Sequence, residues 1–271
     1  MKFDDRASRR VEAIYLTPDV VGQRGRVLDA LALARNERVV DLGCGPGLLA
    51  LEMAHRVGMQ GEVQGIDNSD SMIALAARRC YGKSWVQLSR GDVSKLPYPD
   101  GHFDAAVCTQ VYEYVADIES ALRELNRVLR PGGRAVIVDS DWQSCVWHSS
   151  DPQRMQRVIE AWDRHCPHPH LPRTLKQRLA AAGFDVTGLE AIVLVNDRYD
   201  PNTYSHGMIA ALCNWAKKHM DEEQAVAWAH DLRVLGERGE YFFSLNRYLF
   251  RAVKREVKEV KEVKEVKEVK V

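Results

Sequence analysis

The chain is predicted to fold as an α/β protein, a doubly wound and mostly parallel sheet of seven strands with helices on both faces. Three observations predict it. Short apolar runs recur at the spacing of buried strands, and each is followed by a stretch of helical periodicity. The segment Val39-Val-Asp-Leu-Gly-Cys-Gly-Pro-Gly47 joins one such strand to a helix through three alternate glycines. A length of 271 residues suits one large domain, because α/β domains reach this size by carrying insertions.

An amphipathic segment from Val11 to Leu33 comes first. Strands are expected at 39–42, 62–66, 85–88, 104–108 and 134–139, with helices at 48–57, 70–80 and 117–129. Val39, Val40 and Leu42 make the apolar run that a strand buried on both faces needs. Pro131-Gly132-Gly133 is expected to stop the helix that begins near Ala116. Helical spacing returns between Leu171 and Phe184, stops at Gly183, and leads into a strand around Val186 to Val195. Tyr241 to Val253 supplies the last strand.

Two stretches stand outside this minimal sheet. Residues of about 140–170 carry Trp142, Trp147, His148 and a helix from Pro152 to His165, and about 197–239 carry Tyr199, Tyr204, His206, Met208, Trp215 and Trp228. Ligand sites in open α/β sheets lie beyond the carboxyl ends of the strands, so these connections are expected to form a helical lid that caps the substrate. Trp142 and Trp147 are the better pocket candidates, whereas Trp215 and Trp228 read as packing residues. The domain therefore spans 1–253. Residues 254–271 form a low-complexity charged tail, whose Val-Lys-Glu repeat of three matches neither a helix nor a strand.

Basic and acidic residues both number 38, so net charge gives no general pull toward nucleic acid or an anionic membrane. No apolar leader follows Met1-Lys-Phe-Asp-Asp-Arg, and no run reaches ~18 uninterrupted apolar residues, so a cytoplasmic protein without membrane insertion is expected. The six cysteines show no Cys-x-x-Cys pair and read as reduced thiols. His165-Cys-Pro-His-Pro-His170 is the nearest thing to a metal-ligand cluster, but its prolines impose extended or turn geometry in which alternate histidines point apart. It reads as a loop at a pocket rim, and no metal is expected.

Gly43, Gly45 and Gly47 let the backbone adopt positive φ and approach a ligand closely. A dinucleotide fingerprint would need its third glycine at position 48, which is Leu, and no Gly-Lys-Ser/Thr follows to make a phosphate loop. Asp41 would repel a pyrophosphate and suits an ammonium or hydroxyl partner. Together these features favour S-adenosylmethionine over NAD.

With these residues in place, the chain resembles the class I S-adenosylmethionine-dependent methyltransferases over roughly residues 10–253. Further segments carry the resemblance: Glu62-Val-Gln-Gly-Ile-Asp67, Gly91-Asp92-Val93, Phe103-Asp-Ala-Ala-Val-Cys-Thr-Gln110 and Leu129-Arg-Pro-Gly-Gly-Arg-Ala-Val-Ile-Val138. The layout is similar to the small-molecule group that includes the quinone-biosynthesis C-methyltransferases. The resemblance implies a Rossmann-like methyltransferase fold whose last strand enters antiparallel. It implies S-adenosylmethionine as cofactor and direct in-line transfer of its methyl to a small, apolar or aromatic molecule. It places Asp67 on the ribose hydroxyls, Asn68, Ser69 and Met72 around the adenosine, and Asp92 with the Val93 amide on the adenine. Gln110 then lies at the methyl donor, Asp41 near the methionine amino group, and Arg24, with Tyr15, at the methionine carboxylate.

The chemistry asks for an aligned nucleophile and a dry site, with a base if the nucleophile is protonated. His148, Asp141, Tyr112 and Glu113 are the candidates, because they sit just past the fourth and fifth strands. Each also has a plainer reading: a backbone-bonded surface histidine, a helix cap, and helix-start packing. A non-catalytic S-adenosylmethionine-binding sensor or partner subunit is the alternative. A nucleic-acid methyltransferase would show an Asn/Asp-Pro-Pro-aromatic tetrad where this chain has Cys108-Thr-Gln-Val-Tyr112, and is disfavoured.

Overall fold

A computed structural model describes residues 5–256, with side chains from Arg10 onward. The Val-Lys-Glu repeat from 257 lies outside the described residues. Two helices, α1 (Asp5–Tyr15) and α2 (Pro18–Leu31), precede the strand β1 (Arg38–Leu42). The single segment expected over 11–33 is broken because Pro18 sits at the first helical position, where its missing N–H costs nothing, and Thr17 before it is extended. Alternation then follows: α3 (Leu48–Val57), β2 (Glu62–Asp67), α4 (Asp70–Arg79), β3 (Val86–Arg90), β4 (Phe103–Thr109), α5 (Ile118–Val128) and β5 (Leu129–Ser140).

These five strands pair in parallel, in the order β3-β2-β1-β4-β5. β1 shows why it is central. Val39 joins one apolar core, whereas Val40 and Leu42 join the other on the opposite face, as a two-residue period requires. α5 presents Ile118, Ala121, Leu122, Leu125 and Val128 as one buried stripe and is capped by Asp117, which accepts the Ser120 amide. The Pro-Gly-Gly turn does not end this helix. β5 already begins at Leu129, which pairs with Phe103, and Gly132 at φ +70° sits in a bulge before regular pairing resumes at Arg134.

The second half of the chain adds β6 (Val146–Trp147), α6 (Pro152–Trp162), α7 (Pro172–Ala181), β7 (Phe184–Asn196), α8 (Tyr204–Ala216), α9 (Glu222–Glu237) and β8 (Phe243–Lys254). α6 stops at Trp162, three residues short of the expected His165. β8 runs antiparallel between β5 and β7, and the two-residue β6 takes up the start of β8 beyond the end of β5. The sheet thus has the seven expected strands plus this short eighth among the described residues. β8 also reaches past the expected domain edge at 253, because Lys254 pairs with Phe184 and its Nζ donates to the Leu129 carbonyl at 2.7 Å. Arg255 follows with an ion pair to Asp185.

The inserted helices α6, α8 and α9 pack on one another. Trp228 is fully buried there, edge-on to Trp147, and the Trp215 indole donates to the Ala161 carbonyl. Trp147 is held by Tyr241 and Phe243. α1 lies against α8 so closely that a Cβ on Gly207 would stand 2.5 Å from Ile14 Cγ1. Its Glu12 is paired with Arg79 at the end of α4.

Candidate functional site

A cavity of about 690 Å³ opens where the ends of β1, β2 and β4 meet α1, α2 and α8. The glycine loop forms one wall. Gly43 (φ +73°) and Gly45 (φ +51°) are left-handed, and the amides of Gly43 and Cys44 donate to the Ile66 carbonyl at 2.7 and 3.0 Å, which ties the loop to β2. Gly45 N donates to Asp67 Oδ2 and Ser69 N to Asp67 Oδ1, both at 2.9 Å. The Asp67 carboxylate is thereby clamped between the loop and α4, and each oxygen keeps a lone pair for a hydroxyl in the cavity. Burial raises its pKa in spite of those amides.

Asp41 lines the same wall and is 1% exposed, with Oδ2 unpartnered. Burial, with Asp67 beside it, pushes its pKa up to about 7. A carboxylate held this way fits a cationic ligand group, whose charge would offset the cost of burying an unpaired acid.

Asn68, Met72, Asp92, Val93, Arg24 and Gln110 also line the cavity. Asp92 Oδ1 accepts the Ser94 amide at 2.8 Å. Arg24 is already engaged, by Glu52 at 2.7 Å and by the Tyr15 carbonyl at 3.0 Å. Gln110 sits at φ +57°, a conformation costly for a residue with a Cβ; its amide donates to the Val138 carbonyl and its side-chain Nε2 has no partner. Gly47 stands off the lining. At φ +75° it caps α3, and a Cβ there would lie 2.8 Å from that of Ala76, so it seats α3 against α4.

Beyond the loop the lining changes to Tyr114, Trp142, Trp162, Tyr204, Met208 and Val115. Two buried charged side chains lie among them. Glu113 is fully buried, and its Oε2 accepts the Ser140 amide at 3.2 Å. Arg247 enters from β8, 3% exposed, donating to Gln23 Oε1 at 2.6 Å with its guanidinium 4.4 Å over the Tyr204 ring. Asp139 is buried nearby, and the Glu113 charge raises its pKa on top of burial.

The structure separates the catalytic candidates. Tyr112 is wholly buried away from the cavity. Asp141 is spent on Arg173, at 2.9 and 3.0 Å, and on His170 at 3.2 Å. His148 is exposed, with its backbone amide on the Phe242 carbonyl. Of the four, only Glu113 lines the cavity. In the histidine–proline loop His165 stacks on Trp162, 4.0 Å between ring centres, and burial lowers its pKa to about 4. Sequence reasoning missed Arg247 and Gln23. Both carried a signal: Arg247 interrupts the inward alternation Phe243, Leu245, Leu249, and Gln23 interrupts the buried stripe Val20, Val27.

Residues 40–137 match the family described as "Methyltransferase domain". The chain is 41% identical over 139 residues to an uncharacterized 37.1 kDa protein in transposon TN4556 of Streptomyces fradiae, covering 51% of this chain and 39% of that protein. It is 44% identical over 106 residues to a 2-phytyl-1,4-naphtoquinone methyltransferase of Synechococcus elongatus, covering 38% and 46%. The matches thus span less than half the length of these curated relatives. The solved YcgJ protein from Bacillus subtilis superposes with a TM-score of 0.61 at 21% identity, over 88% of this chain and 100% of that one, which shows the same fold. No described helix is long and apolar enough to cross a membrane.

Proposed function

We propose that this chain, whose residues 40–137 are a methyltransferase domain on the class I fold, moves a methyl group from S-adenosylmethionine to a small apolar or aromatic molecule. Asp41 is the observation that supports this most. It is a buried acid facing the cavity with no basic side chain paired to it, and an amino group beside the glycine loop would relieve that burial. S-adenosylmethionine brings such a group, together with a ribose diol within the scope of Asp67 and an adenine edge suited to Asp92 and the Val93 amide. Asn68 and Met72 flank the adenosine, Gly43 and Gly45 leave room for it, Gln110 stands by the methyl, and Arg24 and Tyr15 close the methionine end.

When bound, the cofactor supplies a methyl carbon made electrophilic by a positively charged sulfur. The protein's part is to orient an acceptor and keep water out. Trp142, Trp162, Tyr204 and Met208 give the acceptor an apolar compartment, and the stretches 140–170 and 197–239 act as its cap on a domain that ends past Lys254. The naphtoquinone substrate in the relative's name agrees with a flat, ring-shaped acceptor.

Titration calorimetry with S-adenosylhomocysteine tests the cofactor assignment. Asp67→Ala should lose about 1–3 kcal/mol of binding, the value of hydrogen bonds to a charged acceptor, while thermal unfolding confirms that the variant is folded. Equal affinity in the two proteins would sink the assignment. Incubation of a metabolite extract with labelled methyl donor then separates an enzyme, which labels a product, from a protein that only binds the cofactor.

A further inference from the structure

The capped end of the cavity holds two charges for which the cofactor contacts have no use. Glu113 and Arg247 are 0% and 3% exposed, and neither forms a salt bridge among the described residues, with the other or with anything else. Each keeps an unpartnered buried atom, Oε1 on Glu113 and Nε on Arg247. No donor meets Oε1 at hydrogen-bond geometry, although the Trp142 and Tyr114 side chains stand close enough to favour its ionised form. Both residues border the same cavity, between aromatic walls. Buried charges are ordinarily paired or neutralised. An acid and a base held apart in one cavity therefore suit a ligand group that joins them.

Chemistry narrows that group. An ammonium would meet Arg247 as a like charge, and a carboxylate would meet Glu113 as one. A hydroxyl satisfies both, since its oxygen accepts from an arginine N–H while its proton is donated to a carboxylate. We propose that Arg247 holds the oxygen and Glu113 takes the proton of an acceptor bearing an acidic hydroxyl on a flat apolar frame. This rests on the methyl-transfer reading above. In the step it serves, the hydroxyl proton passes to Glu113 as an oxygen electron pair forms the bond to the methyl carbon, and the electrons of the broken carbon–sulfur bond stay on sulfur.

The pair also has a pH signature. Tyr114 next to it in the chain, Asp139 on β5, Arg247 on β8, Tyr15 on α1, Tyr204 on α8, Cys108 on β4 and Cys166 after α6 are the titratable groups that face Glu113. Burial raises Glu113 most, and the Ser140 amide and Arg247 oppose it. The hydroxyl's advantage therefore weakens as pH falls from neutral, well above the usual carboxylate range.

Binding of 2-naphthol and of naphthalene to the S-adenosylhomocysteine complex, measured from pH 5 to 8.5, tests the pair. At pH 8 the full chain should hold the naphthol at least 10-fold more tightly. Arg247→Met should cut that preference below 3-fold while S-adenosylhomocysteine affinity stays within 3-fold. Glu113→Gln should keep the preference but lose its pH dependence. No naphthol preference in the parent, or one that survives Arg247→Met, overturns the proposal whether or not the Glu113 variant folds. A parent that fails to bind S-adenosylhomocysteine instead defeats the methyl-transfer reading, and this proposal falls with it.

Discussion

A carboxylate that is 1% exposed and has its pKa pushed up to about 7 ties both folding and binding to pH. Asp41 is raised, so the folded protein keeps a proton there that the unfolded chain gives up near pH 4. Its contribution to stability is complete below that pH and is lost as pH rises through 7, with a span of at most about 4 kcal/mol. A cationic ligand favours the ionised form and reverses the sign for binding. Denaturant titrations between pH 4 and 8 should show Asp41→Asn gaining on the parent as pH rises to 7. S-adenosylhomocysteine affinity of the parent should climb over the same window and that of the variant should not; parallel curves for the two proteins would refute this role. That Asp41 borders the cavity was legible from its place at a strand end before alternate glycines. That it is unpaired was not, because an absent partner is a property of the packed surroundings.

The three alternate glycines look equivalent in sequence and are not equivalent in the loop. Gly43 and Gly45 border the cavity, while Gly47 lets α4 approach the start of α3. Gly47→Ala adds a methyl 2.8 Å from Ala76 at a left-handed φ, and should destabilise the fold by about 1–3 kcal/mol. Thermal unfolding measures this, and an unchanged midpoint would show that the two helices separate freely. The strands and helices were readable because each carries its own period and punctuation, as α5 does with its single stripe. The break at Pro18 was readable in principle from the missing N–H. The start of β5 at Leu129 was not, because a bulge around Gly132 is defined by its pairing with β4 and the local sequence spells a turn.

At the scale of the whole molecule, the parallel, doubly wound sheet followed from the alternation of strands and helices, and the expectation of a site beyond its strand ends followed from the general rule for open α/β sheets. The part of α1 in the cavity wall did not, because Val11, Ile14 and Tyr15 lie far in sequence from the other lining elements. That helix touches three parts at once: Ile14 meets Gly207 on α8, Glu12 holds Arg79 on α4, and Tyr15 stands beside Gly45 and in the electrostatic reach of Arg247 and Glu113. A single helix therefore borders both the glycine loop and the aromatic compartment. We expect ordering it for one ligand to order it for the other, which would make occupation of the two compartments a coupled equilibrium. By reciprocity, the factor by which S-adenosylhomocysteine tightens 2-naphthol must equal the factor by which 2-naphthol tightens S-adenosylhomocysteine. We expect it to be at least about 5-fold, roughly the low end of known couplings; crossed titrations returning a factor of one would show the two compartments to be independent.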